Sequence, residues 1–152
     1  MLSIGKQKVL SKNLNHRIKM QSGDSEDLSF KDESFDIVTI SFGIRNFENI
    51  EKGLNEIRRV LKSKGALVIL ETSVPKNIIV KSLYLFYVRY IIPLISFILS
   101  NNRAAYQYLS DSAITFPCGE SFNNILRKNG FIEVGDFPQT FGVSSIYFAK
   151  KP

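Results

Sequence analysis

The stretch from Ser34 to Thr72 constrains the fold most, because it places two apolar runs on either side of a helix-like segment. The first run covers 35–41 and the second covers 66–71, after a turn at Lys64-Gly65. A strand, a loop, a helix and a second strand within about 40 residues match the size of one βαβ unit. The sequence therefore predicts two neighbouring parallel strands. Both are expected to be buried, because the runs are apolar without alternation.

Polar residues stand where each of the two predicted strands ends. Ser41 and the Arg45-Asn46 pair follow the first strand, and Glu71-Thr72-Ser73 ends the second. Ligands of open parallel sheets bind at the carboxyl ends of the strands. We therefore expect the functional site at this end of the sheet.

The other elements follow from apolar periodicity, capping residues and chain breakers. The predicted elements are a helix at 1–13, a short strand at 18–21, a helix at 50–63 that Asn49 caps and Gly65 ends, a helix at 119–129, and a closing hairpin of strands at 131–137 and 143–149. Such a hairpin adds an antiparallel edge to a parallel sheet.

The segment at 78–100 is mostly apolar, and its length invites comparison with a membrane-spanning helix. A span needs about 20 apolar residues with few charges. Arg89, Pro93 and several tyrosines argue against spanning. The pattern favours amphipathic or buried helices, broken near Pro93, that form a lid or an apolar pocket suited to a lipid or a membrane surface.

The chain has 152 residues and a net charge of +6, with its basic residues spread along the sequence. A dispersed charge favours a solvated surface over nucleic-acid binding, and it leaves contact with a membrane surface open. The single cysteine, Cys118, excludes an internal disulfide and fits a cytoplasmic setting. No signal peptide and no metal-ligand spacing are evident.

Six short stretches are similar to one methyltransferase family. They are Gly23-Asp24-Ser25-Glu26-Asp27-Leu28-Ser29-Phe30 with Asp36, Ser41-Phe42-Gly43-Ile44-Arg45-Asn46-Phe47, Arg59-Val60-Leu61-Lys62, Ala105-Tyr106-Gln107-Tyr108-Leu109, Phe116-Pro117 and Gly119-Glu120. The chain resembles the ubiquinone/menaquinone biosynthesis C-methyltransferases, a class I S-adenosylmethionine-dependent family. The resemblance implies an α/β fold. It would be a partial Rossmann-like class I methyltransferase sheet, mostly parallel, with a C-terminal antiparallel hairpin and a helical apolar insertion. That insertion would lie at about 76–116 within a single domain spanning 1–152.

The resemblance also implies a cofactor site for S-adenosylmethionine. Asp24 and Ser25 match the family's acidic turn beside the adenine end of the cofactor, and Ser41 matches a contact at the end of a strand. An ordinary Asx turn is the alternative for Asp24-Ser25. A hydroxyl that satisfies the backbone is the alternative for Ser41.

Arg45 and Asn46 are the catalytic candidates that the resemblance implies. A guanidinium beside the oxygen of a quinol ring would stabilise a developing oxyanion, and Asn46 would bond the same oxygen. Arginine is too basic to release a proton readily, so a water held by Arg45 is the better base. The alternative for Arg45 is a salt bridge at a helix entrance.

Tyr106, Tyr108 and Phe116 match the family's wall on the substrate side, and ordinary aromatic core is the alternative. The implied reaction is C-methylation of demethylmenaquinol or of 2-polyprenyl-6-methoxybenzoquinol. The apolar segment would take the isoprenoid tail, or would touch the inner face of the membrane. A methyltransferase acting on another lipid or small phenol is one alternative. An inactive, truncated membrane-peripheral or partner-binding module is the other.

The glycine-rich loop and the acidic strand end that begin a complete class I methyltransferase have no match here. The chain therefore resembles an N-terminally truncated copy, and we expect it to bind S-adenosylmethionine weakly or not at all on its own. Missing strands would also leave apolar strand faces exposed and one sheet edge unpaired. Such an edge promotes self-association into a homo-oligomer.

Overall fold

The computed structural model describes residues 2–92, 94, 108 and 111–152. The helices are α1 (Leu2–Ser11), α2 (Ile50–Val60), α3 (Ile78–Phe86), which continues as a π-helical turn at Tyr87–Ile91, and α4 (Glu120–Lys128). The strands are β1 (Phe35–Ser41), β2 (Leu61–Thr72), β3 (Ile132–Gln139) and β4 (Ser144–Lys150). Short 3-10 turns lie at Ile44–Asn46 and Thr140–Gly142.

The predicted βαβ unit is present as β1, α2 and β2. Strand β1 pairs parallel with β2, from Ile37 opposite Ala66 to Ser41 opposite Leu70. The side chain of Asn49 caps α2 by accepting from the Lys52 amide (3.0 Å), which satisfies one of the free donors of the first turn.

The end of α2 and the start of β2 were predicted too far along the chain. The helix ends at Val60 and the strand begins at Leu61, rather than at 63 and 66. The intervening residues form a bulge in β2, tied to the C-terminus because Lys64 N donates to the Lys151 carbonyl (3.2 Å). Gly65 is required there, since a Cβ atom would lie 2.8 Å from the Lys62 carbonyl oxygen.

The sheet has the strand order β1-β2-β4-β3. One pair is parallel, and β4 pairs antiparallel with both β2 and β3. The α/β class and the closing antiparallel hairpin are therefore confirmed, whereas the described strands form a mixed sheet and not the mostly parallel one that was expected.

The core lies on one face of the sheet, beneath α2 and α4. Its buried members include residues from each of these elements: Leu54, Ile57, Leu67, Ile69, Phe122, Leu126, Tyr147 and Ala149. Successive strand residues point to opposite faces, so Val38 and Ile40 of β1 pack against this core while Ile37 and Thr39 face the other way.

The prediction that β1 is buried was wrong. Ile37 is 60% exposed, and Thr39 and Ser41 are exposed as well. The strand is the last in the sheet order, and within the described residues no strand pairs with its outer edge. Burial of an apolar strand depends on what covers it. Among the described strands, the outer edge of β1 is therefore open.

The predicted strand at 18–21 was also wrong, since that segment has no regular structure. A strand exists only through pairing, and within the described residues no strand pairs with this segment.

The apolar segment is helical through Ile92, as predicted, while Pro93 lies outside the described residues. Within the described parts of the chain, no helix combines the length and hydropathy that a bilayer crossing demands.

Candidate active site at the carboxyl ends of β1 and β2

The chain leaves β1 through a short irregular loop that turns back over the end of β2. Phe42 has a positive φ of 51° and donates its amide to the Leu70 carbonyl (2.8 Å). The 3-10 turn at Ile44–Asn46 follows at once, and Ile44 is fully buried. The buried isoleucine anchors the turn, which brings Arg45 and Asn46 to the predicted end of the sheet.

Arg45 is held by Glu71, the last buried residue of β2. Nη1 of Arg45 donates to Oε1 of Glu71 (2.7 Å) and to the Phe42 carbonyl (3.0 Å). The two side chains are only 10% and 0% exposed, so this is a largely buried ion pair. The amide and hydroxyl of Thr72 also donate to Oε1, at 2.8 and 3.2 Å. The guanidinium is therefore fixed in place.

One buried nitrogen of the Arg45 guanidinium lacks an acceptor. Nε is buried, and none of the described residues accepts its hydrogen bond. A buried donor without an acceptor costs about 1–3 kcal/mol, so such a group calls for an explanation. An oxygen of a bound ligand would satisfy it.

Asn46 and Tyr108, predicted for different roles, meet in the structure. The Tyr108 hydroxyl donates to Asn46 Oδ1 (3.0 Å), which orients the amide so that its NH₂ group is free to donate elsewhere. Both side chains are exposed. Tyr106 lies outside the described residues.

Phe116 lies in the core rather than on an open wall. It is 6% exposed, and its ring centroid is 5.0 Å from that of Phe122. This position matches ordinary aromatic packing, the alternative considered from the sequence.

Asp24 forms an Asx turn, since its Oδ1 accepts from the Glu26 amide (2.9 Å). Ser25 is half-buried in this turn, and Ser41 is exposed at the end of β1. Within the described residues, no hydrogen bond joins Asp24 to Ser41 or Arg45. Ser41, one of the cofactor candidates, directly precedes Phe42, whose carbonyl accepts from Arg45.

The acidic loop is clamped onto α2 by Glu56 and Arg59. Arg59 donates to the carbonyls of Leu28 (2.8 Å) and Phe30 (2.7 Å), and Leu28 N donates to Glu56 Oε2 (2.9 Å). The hydrogen bond from Arg59 lowers the pKa of Glu56 from 4.5 to about 2. Charge therefore holds this loop.

Two residues of the site were missed as functional candidates. Glu71 was noted only as a polar strand end, and its pairing with Arg45 depends on the parallel register. Tyr84 of α3 was noted only as one of many apolar residues. Burial raises its pKa, as does the nearby Cys118 thiol, while Arg45 opposes the shift. No sequence signal separates Tyr84 from its aromatic neighbours.

A cavity of about 380 Å³ lies past the end of β2, where Ser73, two residues after Glu71, is part of its lining. Its lining comes from the segment after β2, the start of α4 and the β3–β4 hairpin, and includes Ser73, Lys76, Cys118, Asp136 and Phe141. It has the size of a small-molecule site.

Comparison with solved structures defines the class of protein first. A phosphoethanolamine N-methyltransferase of Haemonchus contortus, solved with S-adenosyl-L-methionine, superposes with a TM-score of 0.68 at 16% identity. The match covers 100% of this chain and 41% of that one. The fold is therefore that of the S-adenosylmethionine-dependent methyltransferases.

The family follows from sequence. The pattern of the ubiE/COQ5 methyltransferase family matches residues 1–151, and the chain belongs to that family. It is 40% identical over 151 residues to a demethylmenaquinone methyltransferase of Bacteroides fragilis, covering 99% of this chain and 62% of the relative. It is 41% identical to a ubiquinone/menaquinone biosynthesis C-methyltransferase of Geotalea daltonii, covering 99% and 64%. The chain thus spans somewhat less than two thirds of these relatives.

Proposed function

We propose that the chain takes part in S-adenosylmethionine-dependent C-methylation of a lipophilic quinol ring, of the demethylmenaquinol or polyprenyl-methoxybenzoquinol type. The observation that carries the proposal is the buried Nε of Arg45, a fixed donor that lacks an acceptor among the described residues. An ionised ring oxygen has the charge that a guanidinium donor pairs with. Membership of the family supports the same reaction.

The role of Arg45 follows from the electronic demand of methylation at carbon. A ring carbon becomes nucleophilic when the neighbouring hydroxyl loses its proton, because the oxyanion pushes electrons into the ring. The positive guanidinium stabilises that oxyanion, and the Asn46 amide, oriented by Tyr108, donates to the same oxygen. S-adenosylmethionine, when bound, supplies an electrophilic methyl group on sulfur.

The hydroxyl gives up one proton and the methylated carbon gives up another, and the product oxygen takes one proton back, so that one proton is released for each methyl group transferred. Arg45 does not take them, since a guanidinium stays protonated in proteins. Water held at the guanidinium accepts each proton and passes it to solvent. Glu71 keeps Arg45 aligned through the 2.7 Å ion pair and does not touch the ring.

The residues present fit one part of the cofactor. Asp24 commits Oδ1 to the Asx turn, and its exposed carboxylate can accept from an exocyclic amine such as that of adenine. Ser25 offers a backbone amide in the same turn, and the Ser41 hydroxyl points out from the end of β1. We assign these three residues to the adenosine end of the cofactor, and we assign no other residue to it.

The lipophilic tail of the substrate would lie along α3, whose outward side chains are apolar. We place the protein at the cytoplasmic surface of a membrane as a peripheral protein, because its substrate would be dissolved there.

Methyl transfer tests the proposal. The chain, and a fusion that adds the unmatched part of the Bacteroides fragilis relative, would be incubated with methyl-labelled S-adenosylmethionine and reduced naphthoquinol or benzoquinol acceptors with short tails. Mass spectrometry should find a ring-methylated product in at least the fusion. Arg45→Gln should lower its rate by about a hundredfold.

The matched control is Arg58→Gln, an exposed arginine of α2, which should leave the rate unchanged. No ring-methylated product from either protein would contradict the proposal. Methylation at oxygen, or of small phenols in preference to quinols, would favour a methyltransferase with another acceptor.

One observation favours a second candidate function, a partner-binding module. The outer edge of β1 has no strand beside it among the described residues, and Ile37 is exposed. An edge of this kind pairs readily with another chain, including a second copy. Stable association of the chain with another chain or with a second copy, without methyl transfer by the chain or by the fusion, would support that function.

A further inference from the structure

Helix α3 and the π-helical turn carry an exposed apolar stripe on their outer side. Ile79, Leu83, Phe86 and Tyr90 recur at i, i+4, i+7 and i+11, and all are more than half exposed. Val88, on the opposite side, is buried. An apolar stripe on a helix is stable where it has apolar surroundings, and no described residue buries this outer stripe.

The tip of the β3–β4 hairpin is a second exposed apolar feature. Phe141 is 85% exposed, and three successive residues, Thr140, Phe141 and Gly142, have positive φ values of 48°, 58° and 90°. Only glycine adopts this conformation without cost, so the turn holds two residues in a strained backbone in order to present an aromatic ring to the outside.

These two features meet at one rim of the molecule. Gly142 packs on the chain before α3, where a Cβ atom on it would lie 3.3 Å from the Pro75 Cα. The cavity past the end of β2 is lined by Phe141 together with Lys76 and Asn77, the residues just before α3. Ile78, the next residue, is 77% exposed. The hairpin tip, the start of α3 and the cavity mouth are therefore neighbours.

The helical part of this region is basic. From Thr72 to Ile92 the chain contains Lys76, Lys81 and Arg89 and no aspartate or glutamate, while Glu120 and Asp136 lie in the lining of the cavity. Basic residues beside apolar ones are the composition that binds anionic lipid surfaces. Two copies of the same surface would bring like charges together, which disfavours self-association through it.

We propose that the hairpin tip and the outer stripe of α3 form a two-part docking surface for an anionic lipid bilayer, with the cavity mouth facing the lipid. The purpose of this surface rests on the proposed function, because a quinol in the bilayer would then enter the cavity without crossing water. The docking surface is tested by vesicle binding and the proposed function by methyl transfer to soluble acceptors. Either experiment can therefore fail while the other succeeds.

The test is co-sedimentation of the full chain with phosphatidylcholine vesicles, with and without phosphatidylglycerol. We expect binding that requires phosphatidylglycerol and weakens with added salt. Leu83→Ser and Phe141→Ser should each lower the partition coefficient by about tenfold, as expected when one apolar side chain leaves the lipid. Lys81→Glu should lower it by at least about tenfold on the anionic vesicles.

Three matched controls come from surfaces elsewhere on the chain. Ile132→Ser replaces another exposed aliphatic side chain (46% exposed, against 66% for Leu83), and Lys31→Glu replaces an exposed lysine in the turn before β1. Phe137→Ser replaces an exposed phenylalanine of the same hairpin, located within β3. All three should bind vesicles as the unchanged chain does.

Absence of vesicle binding would overturn the inference, as would equal losses in the test and control variants. The inference also fails if Leu83→Ser dissociates an oligomer and leaves vesicle binding unchanged, since the stripe would then be a contact between copies.

Discussion

Strands β1 and β2 are parallel neighbours of similar composition, and yet they differ in what surrounds them. Strand β2 lies between β1 and β4, and its residues from Gly65 to Glu71 are alternately buried and half-buried. Strand β1 pairs on one side, and Ile37, Thr39 and Ser41 are exposed. The comparison shows that an apolar run is enough to predict a strand. Whether the strand is buried depends on the elements that pack beside it.

The ends of the two strands differ in the same way. Glu71 at the end of β2 is fully buried and paired, whereas Ser41 at the end of β1 is exposed. One strand end therefore supplies a fixed charge to the site, and the other supplies a hydroxyl that is open to a ligand.

The largest expected effect compares two isoleucines. Ile69→Ala in β2 removes a fully buried side chain and should lower the free energy of unfolding by about 3 to 4 kcal/mol. Ile37→Ala in β1 should lower it by less than about 1 kcal/mol, because that side chain is already 60% exposed. Urea unfolding measures both. Equal losses would mean that Ile37 is covered in solution, for example by a second copy.

A smaller effect is expected where the strands end. Glu71→Gln leaves the largely buried Arg45 without its counter-charge and should destabilise the chain by about 2 kcal/mol, since glutamine still accepts a hydrogen bond. Ser41→Ala should change the stability by less than about 0.5 kcal/mol. Thermal unfolding of the two variants measures both effects. An unchanged stability in Glu71→Gln would show that the ion pair does not hold Arg45.

The smallest effect concerns the loop that leads into β1. Glu56 and Arg59 hold this loop on α2. The native pKa of Glu56 is about 2, below its unfolded value of 4.5, so its contribution is complete above pH 4.5 and is lost as the pH falls toward 2. Glu56→Gln should lower the free energy of unfolding by about 1 kcal/mol at neutral pH. It should also weaken the dependence of that free energy on pH between 4.5 and 2.

Unfolding free energies measured across that pH window test this, with the exposed Glu48→Gln as the control. An unchanged acid limb in Glu56→Gln would contradict the clamp on the loop.

Local pattern accounts for most of what the sequence predicted correctly. The stripe from Ile50 to Ile57, the Asn49 cap and the two apolar runs each act within one element, so the βαβ unit could be placed without the structure. The boundary at Val60 was missed because Leu61 suits a helix face and a strand equally well, and the contact of Lys64 with Lys151 that settles it is remote in sequence.

The site was predictable in position and only partly in its pairings. Polar residues at two parallel strand ends located it, and family resemblance singled out Arg45, Asn46 and Tyr108. The bond from Arg45 to Glu71 joins residues 26 apart, and the one from Tyr108 to Asn46 joins residues 62 apart. Distances of that kind depend on strand register and helix packing, which residue patterns do not contain.

The central claim is that Arg45, fixed by Glu71, offers a buried donor to an ionised ring oxygen. Spectroscopic titration of bound 4-nitro-1-naphthol, whose anion absorbs visible light, tests it without the cofactor. The account predicts that binding to the unchanged chain lowers the pKa of the naphthol by about one unit. Binding to Glu71→Gln should lower this pKa by less, and binding to Arg45→Gln should not lower it. An equal pKa for the naphthol bound to the unchanged chain and to Arg45→Gln would contradict it.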